Sequence, residues 1–393
     1  RLYMLAKAQE MAGKSVQEDD DKDLAGTLAM QAHFFHKRND GKKYDPYIYN
    51  ALYHAITVSS GLSYNAIKVP GPSRNRMNAL ALSSKASVYY AAAADGRIFT
   101  GDYEKRTGQP TAFQNPSPNK VVALSKDDRY LANGTDSAVV QIFDPQAGAR
   151  PVAVRGLNGG TNALEFMPDG SGLIVSKTDR SISLVNHLTG DVKTIAKPNV
   201  ELKAIAISPN GKLLAGAAWS GQLVLINLET GAQEVLVNTD AAQILSVKFS
   251  PDGKMIAYGT FEKNDKRGLV KLYNLNERKE KRQFTGHKAG VYSVEFSPDG
   301  KLLASAGSDR LLQMWVIDFL EDLPIKMDNN NGFIWDIAFS HDSKYLIAAG
   351  HESEIRVWPT DPDLLAEQIC PLLKRNMTQE EWIKYVGSDI PFE

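Results

Sequence analysis

Three residues in one short segment have the side-chain types of a nucleophilic catalytic triad. His287, Ser305 and Asp309 all lie within GHKAGVYSVEFSPDGKLLASAGSDRLLQMW, residues 286–315. In a hydrolase of this type the serine attacks the substrate, the histidine takes its proton and the carboxylate orients the imidazole. Whether these residues form an active site or part of the architecture depends on the elements that position them.

A second candidate for chemistry is the sequence HFFH, which places His33 and His36 three residues apart in a helical segment. This spacing could bring two imidazoles to one helix face, but a metal site normally needs a third and usually a fourth ligand. The nearby Asp40 and Asp45 fit helix ends and turns. We therefore expect no metal and no cofactor.

The composition narrows the classes of partner. The chain has 393 residues with 45 basic and 46 acidic side chains, a formal net charge of -1. A nucleic-acid-binding protein usually has a basic field or stripe, so we expect no nucleic-acid partner. No run of 18 apolar residues is present, so we expect no membrane contact within this chain. The single cysteine, Cys370, is compatible with a cytoplasmic location.

An internal repeat determines the predicted fold. The probe VEFSPDGKLLASAGSD recurs at a period of about 42 residues, and its seven copies are centred on Ser83, Ser125, Met167, Ser208, Ser250, Ser297 and Ser340. Each copy has an alternating strand such as 291–296, a turn, and a small-residue strand such as 302–306. A third strand ends near Trp315 and a fourth, more polar strand precedes the next copy. Packing such four-stranded sheets radially buries both faces of each.

The sequence thus predicts an all-β fold, a seven-bladed β-propeller over residues 61–360. Residues 1–60 are predicted as a helical linker segment and residues 361–393 as a C-terminal helical tail. The last copy stops at Trp358 without its fourth strand, whereas an unpaired strand-like segment, 62–70, precedes the first copy. We expect this N-terminal strand to complete blade seven and close the ring.

The repeat resembles the WD-repeat family in its Gly-His pair at 286–287, in FSPDG, in LLASAG with Asp309, and in Trp315. The resemblance covers roughly residues 62–359 and is strongest in blade six. In that family the matching residues form a structural ladder, so His287, Ser305, Asp309 and Trp315 are expected to be hydrogen-bonded inside one blade. This interpretation replaces the catalytic one, and we expect no enzymatic activity.

The resemblance also implies a recognition face, formed around the central channel by the loops that enter the first strands and those that join the second and third. Aligning the copies places seven residues there: Asn78, Lys120, Asn162, Lys203, Leu245, Tyr292 and Trp335. Tyr292 and Trp335 would lie side by side with Phe333 nearby, and aromatic residues dominate binding hot spots. The alternative is that both aromatics pack between blades.

A long loop, TFEKNDKRG at 260–268, is predicted to project on the same face. Its basic side chains, Lys263, Lys266 and Arg267, suit an acidic or mixed-charge partner. A loop of this length is either functional or simply tolerated.

The flanking segments carry a second resemblance. AKAQEMAGKSVQEDDDKDLAGTLAMQAHFF with YIYNALYHAI, and the ending CPLLKRNMTQEEWIKYVG, resemble the segments around the WD-repeat sensor of bacterial STAND-type NTPase signalling proteins. The chain starts at an arginine and has no GxxxxGK[ST] loop, so an upstream effector domain is expected in a longer protein. The resemblance implies a noncatalytic protein- or peptide-recognition sensor. The alternatives are a structural scaffold subunit, including one in an envelope complex, and a periplasm-facing propeller anchored by an upstream transmembrane helix.

Overall fold

The structure, a computed structural model, describes residues 1–72, 75–115, 117–145, 151–154, 156–317 and 323–392. The chain divides into two compact units. The first contains Arg1–Asn65, Leu323–Asn329 and Trp358–Glu393, and the second contains Ala66–Asp322 and Asn330–Val357.

The first unit contains the helices. Their bounds are α1 Leu2–Gln17, α2 Lys22–Arg38, α3 Pro46–Ser60, α4 Pro362–Ile369 and α5 Gln379–Tyr385, with a 3₁₀ turn at Cys370–Leu372. The Asp45 side chain caps α3 by accepting from two backbone N–H groups of its first turn, and Pro46 at the first helical position lacks an N–H that needs a partner. Thr378 and Glu381 form a capping box at α5. Hydrogen bonds from Arg375 lower the pKa of Glu381 to about 2.

The strands form seven four-stranded antiparallel sheets. Their bounds are β1 Ala66–Lys68; β2 Met77–Leu82, β3 Val88–Ala93, β4 Arg97–Asp102 and β5 Gln109–Gln114 in blade one; β6 Asn119–Leu124, β7 Leu131–Thr135, β8 Val140–Phe143 and β9 Val152–Ala153 in blade two; β10 Thr161–Phe166, β11 Leu173–Lys177, β12 Ile182–Val185 and β13 Val192–Ala196 in blade three; β14 Leu202–Ile207, β15 Leu213–Ala218, β16 Gln222–Asn227 and β17 Gln233–Asn238 in blade four; β18 Ala242–Phe249, β19 Met255–Glu262, β20 Gly268–Asn274 and β21 Lys279–His287 in blade five; β22 Val291–Phe296, β23 Leu302–Gly307, β24 Leu312–Val316 and β25 Ile325–Met327 in blade six; and β26 Ile334–Phe339, β27 Tyr345–Gly350 and β28 Glu354–Pro359 in blade seven. The predicted seven-bladed β-propeller, with N-terminal helices and a short helical C-terminal tail, is confirmed.

The SPDG motif forms the turn between the first two strands of a blade. In blade six, Ser297 Oγ donates to Asp299 and accepts from the backbone N–H of Leu302 at 2.9 Å. Gly300 takes a φ of 71°, a conformation that side chains with a Cβ rarely adopt. The same serine-to-acid or serine-to-amide bond recurs in four other blades, at Ser125–Asp127, Ser208–Asn210, Ser250–Asp252 and Ser340–Asp342. This repeated turn, held by side-chain hydrogen bonds, fixes the register between the first and second strands of a blade.

Blade seven draws its fourth strand from the other end of the chain. The sheet order is β1-β28-β27-β26, and Ile67 lies opposite Ile355 in the antiparallel register. Three residues of the expected segment 62–70, Ala66–Lys68, lie in this strand, and the backbone N–H of Val69 extends the pairing to Ser353. The ring is thus joined by hydrogen bonds between its first and last strands.

The closing strand also contributes to a core. Ile67 is 1% exposed and belongs to a buried cluster with Tyr89 of blade one and with Ile347 and Ile355 of blade seven. Because its side chain packs between the two blades that the ring must join, the hydrophobic effect and the strand pairing act together at this point.

We expect Ile67→Ala to lower the free energy of unfolding by about 3 kcal/mol, since it leaves a cavity among buried aliphatic side chains. The measurement is urea denaturation followed by circular dichroism. Lys68→Ala, on the exposed side of the same strand, is the matched control and should change the value by less than about 0.5 kcal/mol. Equal effects of the two substitutions would contradict the closing role of Ile67.

Candidate functional site

The triad residues of blade six are hydrogen-bonded but closed to solvent. His287 Nε2 lies 2.6 Å from Ser305 Oγ, and Nδ1 lies 2.9 Å from Asp309 Oδ2. The side chains of His287 and Asp309 are 1% and 5% exposed, and Ser305 is fully buried. A nucleophile must reach its substrate beside an oxyanion site, so this geometry serves the blade.

The charge of Asp309 is stabilised inside the blade. Burial alone would raise its pKa, but the hydrogen bond and charge of His287 and the backbone N–H groups of Lys288 and Leu311 hold the pKa below its ordinary value. The backbone of Lys288 donates to the same carboxylate at 2.8 Å. The network therefore ties the loop entering blade six to the turn between β23 and β24.

The expected ladder was wrong about Trp315. In the described part of the chain its buried Nε1 has no hydrogen-bond partner. In the strand register Ser305 lies opposite Gln313 and Trp315 lies opposite Leu303. Trp315 contributes by packing, with its ring 5.0 Å from that of Phe284 and 6.4 Å from the imidazole of His287.

Every innermost strand carries a one-residue bulge at the same place. The pairing of first and second strands skips one residue in each blade. The skipped residues are the seven that the repeat alignment singled out: Asn78, Lys120, Asn162, Lys203, Leu245, Tyr292 and Trp335. A bulge leaves its residue unpaired and re-aims the side chain, and all seven line a channel of about 770 Å³.

One half of this ring of bulge residues is apolar. The rings of Tyr292 and Trp335 meet edge to face with centroids 4.9 Å apart, and Leu245 lines the channel on the neighbouring blade. Both aromatic side chains are half-buried and both line the channel. Phe333, which is 43% exposed, packs edge to face on Trp335 at 5.9 Å but does not line the channel itself. We call Tyr292, Trp335 and Phe333 the aromatic cluster.

The other half is polar and its charges are compensated. Lys203 Nζ lies 2.6 Å from Glu201, and Lys120 Nζ lies 3.2 Å from Asp136. Asn162 donates to Glu201 at 2.9 Å. The two lysines predicted as partner-binding residues thus form ion pairs within their own blades, and the Asn162 amide links blades two, three and four through hydrogen bonds with Lys120, Glu201 and Lys203.

The sequence did not single out two residues of the channel lining. Trp219, 47% exposed in the turn between β15 and β16, lies under the ammonium of Lys203 at 5.1 Å. Arg76 lies just before β2, and its guanidinium lies 5.1 Å from the centre of the Trp335 ring. The only sequence signal for either is its position, one in a second-to-third strand turn and the other just before a first strand.

The basic side chains of the long loop in blade five do not line the channel. Its tip is a hairpin closed by pairing between Glu262 and Arg267. Arg267 is paired with Asp265 at 3.0 Å, and Lys263 donates to the backbone of Asp240 at 2.9 Å. Lys263, Lys266 and Arg267 are exposed and lie outside the channel lining, because the extension of β19 and β20 carries them beyond the channel mouth.

A deeper layer of the channel holds three carboxylates around one lysine. Lys248 Nζ lies 3.1 Å from Glu295, whose charge raises the pKa of Lys248 above its ordinary value. Asp336 accepts from the backbone of Leu80 at 2.8 Å and from Ser293 at 3.0 Å. Burial raises the pKa values of Glu295 and Asp336. These bonds join neighbouring blades across the channel wall.

Glu165 belongs to the same layer. Its carboxylate accepts from the backbone N–H of Ile207 in the next blade at 3.1 Å. Burial raises its pKa to about 7, and the charge of Lys248 opposes that shift. At neutral pH this group is close to half-protonated in the folded chain.

The two histidines of HFFH each have a partner elsewhere in the helical unit. His33 Nε2 lies 2.8 Å from Asp363, and His36 Nε2 lies 2.9 Å from the backbone oxygen of Lys42. Within the described ranges no group of three or more potential ligands comes together.

Comparison with known proteins assigns the repeat. The family model "WD domain, G-beta repeat" matches residues 278–316 and 324–359. Each match begins with the outer strand of one blade and ends in the third strand of the next blade. The chain is a β-propeller that carries WD40 repeats. Propellers of this kind generally bind protein partners.

Two curated relatives are similar to part of this chain. The WD repeat-containing protein SL1-17 of Schistosoma mansoni is 23% identical over 150 residues, 38% of this chain and 50% of the relative. The periodic tryptophan protein 2 homolog of Dictyostelium discoideum is 22% identical over 174 residues, 42% of this chain and 18% of the relative. The chain spans half or less of the length of these relatives. Both relatives are eukaryotic. They therefore give no support to the resemblance between the flanking segments and bacterial signalling proteins.

In the described residues, no helix is both long enough and apolar enough to cross a bilayer.

The pKa of Glu165 predicts a pH-dependent stability. The folded pKa of about 7 lies above the unfolded value of about 4.3, so the stabilising contribution is complete below the unfolded pKa and is lost as the pH rises through 7. Glu165→Gln keeps an acceptor for Ile207 and removes this titration. We expect the free energy of unfolding of the variant relative to wild type to rise by about 2.5 kcal/mol between pH 5 and pH 8. Urea denaturation at both pH values measures it, and a difference that does not change with pH would refute the assignment.

Proposed function

We propose that the WD40 propeller is a noncatalytic protein- or peptide-recognition module. It binds its partner at the channel mouth, by which we mean the ring of seven bulge residues and the loops next to them. The observation that carries the proposal is the aromatic cluster, in which the bulges of β22 and β26 direct Tyr292 and Trp335 into the channel and Phe333 packs on Trp335. Tyr292 and Trp335 meet at 4.9 Å and keep part of their surface open.

The shape and chemistry of the mouth support a binding role. The channel of about 770 Å³ has the size of a pocket that takes a small ligand or several side chains of a peptide. Large aromatic side chains at the centre of a concave surface supply contact area with little loss of conformational entropy. The polar half of the mouth, with Lys120, Asn162 and Lys203, provides donors and acceptors in fixed positions around it.

The same geometry gives no support to a reaction at this site. The side chains that resemble a triad are buried in blade six, away from the channel lining. The raised pKa values of Glu165, Glu295 and Asp336 accompany bonds between blades, which makes these carboxylates part of the channel wall.

We expect Trp335→Ala and Tyr292→Ala each to weaken partner binding by about 2 kcal/mol, roughly a 30-fold rise in Kd. The full chain is used as bait in extracts of its source cells. The partner recovered is then purified and titrated calorimetrically against wild type and variants. Circular dichroism melts establish that the variants fold.

Leu188→Ala is the matched control for these variants. Leu188 is 61% exposed and lies in the turn between β12 and β13, at the opposite end of the antiparallel strands from the channel mouth. Its removal should leave the Kd unchanged. Undiminished binding by the double variant of Trp335 and Tyr292 would show that the partner uses another surface.

We further propose that this module is the sensor part of a larger signalling protein, with its helical segment next to an effector domain. The proposal rests on the resemblance of residues 6–35, 47–56 and 370–387 to the segments that flank such sensors. A cytoplasmic location stays a prediction.

The gene sequence upstream of the codon for Arg1 tests the sensor role. We expect an open reading frame that continues into a nucleotide-binding domain with a GxxxxGK[ST] loop, in which backbone N–H groups and a lysine hold phosphates. A reading frame that supplies no such domain would contradict the sensor role and leave the recognition function standing.

A further inference from the structure

The cations of the channel lining differ in whether they have a counter-charge. Lys120, Lys203 and Lys248 each have a carboxylate oxygen within 3.2 Å. Arg76 has no ion pair or hydrogen bond to its side chain among the residues that the structure describes, and it is exposed. It is therefore the cation of the lining that is open to a ligand.

The position of Arg76 is fixed by an aromatic ring. Its guanidinium lies 5.1 Å from the centre of the Trp335 ring, in the range of a cation–π contact. This contact lies between blade one and blade seven. A guanidinium over a ring keeps N–H groups available, and these can bind a carboxylate through two parallel hydrogen bonds.

On these observations we propose that the channel mouth recognises a peptide carboxylate next to a bulky apolar side chain. The carboxylate binds the Arg76 guanidinium, and the apolar side chain packs on Tyr292 and Trp335. This inference rests on the proposed recognition function and names the chemistry of its partner: an aspartate, glutamate or C-terminal carboxylate beside an aromatic or aliphatic residue.

A basic peptide is the alternative to an acidic one, because the deeper layer of the channel contains three carboxylates. Glu165, Glu295 and Asp336 surround a single cation, Lys248, and would attract a basic side chain if one could reach them. The mouth favours a carboxylate because Arg76 is exposed and unpaired, whereas the three carboxylates already accept hydrogen bonds from Ile207, Lys248 and Leu80.

The test uses three peptides that differ only in charge. The probes are acetyl-Gly-Phe-Glu-Gly-amide and its analogues with glutamine or lysine in place of glutamate. The full chain is labelled with 5-fluorotryptophan, and ¹⁹F NMR follows its five tryptophans, with Trp335→Phe identifying the signal of that residue. We expect the glutamate peptide to shift the Trp335 signal with a Kd about 10-fold lower than that of the glutamine peptide.

Two arginine variants separate a direct contact from general electrostatics. Arg76→Gln should remove the preference for glutamate and leave the Kd of the glutamine peptide within about two-fold. Arg310→Gln is the matched control, because Arg310 is exposed in the turn between β23 and β24 at the same end of the blades. It should retain the preference.

The outcomes distinguish this inference from the proposed function. Equal binding of the glutamate and glutamine peptides at Trp335, or tighter binding of the lysine peptide, overturns the carboxylate inference while showing that the face binds peptides. An unchanged glutamate preference in Arg76→Gln also overturns it. If no peptide moves the Trp335 signal up to roughly 10 mM, the inference fails, and the Trp335→Ala titration with the natural partner decides the recognition function independently.

Discussion

Ring closure is the constraint on which the rest of the propeller depends. A four-stranded sheet has two faces to bury, and each blade buries them only against its neighbours. The first and last blades are therefore stable only if they are joined, which β1 does by pairing with β28 and by placing Ile67 in the core between them. Hydrogen bonds that Asp336 and Glu165 accept from neighbouring blades, together with the Lys248–Glu295 ion pair, then fix the blades around the channel.

The bulge of each innermost strand converts this closed ring into a binding surface. It leaves one residue per blade without a cross-strand partner and turns its side chain into the channel. In blades two to four these residues are polar and tie neighbouring blades together. In blades six and seven they are Tyr292 and Trp335, which contact each other and retain open surface. The asymmetry of the mouth thus follows from single residues at equivalent repeat positions.

The sequence was sufficient for the fold and for this ring of residues, because both follow from a repeat with a constant period. It could not show which charges are free. Lys120 and Lys203 were expected to meet a partner, but Asp136 and Glu201 neutralise them. Asp136 is distant from Lys120 in the sequence and meets it only in the folded chain. Arg76 lies outside the repeat pattern and contacts Trp335 across the closure of the ring. The family pattern predicted a hydrogen bond from the Nε1 of Trp315 within the ladder. In the structure Trp315 lies opposite Leu303, and its Nε1 has no hydrogen-bond partner in the described residues.

Hydroxyl-radical footprinting of the full chain with its purified partner is the most direct test of recognition at the channel mouth. Tyr292, Trp335 and Phe333 keep open surface in the free chain, so their oxidation can be measured by mass spectrometry with and without the partner. The account predicts strong protection of these three residues and unchanged oxidation of Leu188 at the opposite end of the strands. Protection of Leu188 or of the outer strand 233–238, with the aromatic cluster still oxidised, would contradict it.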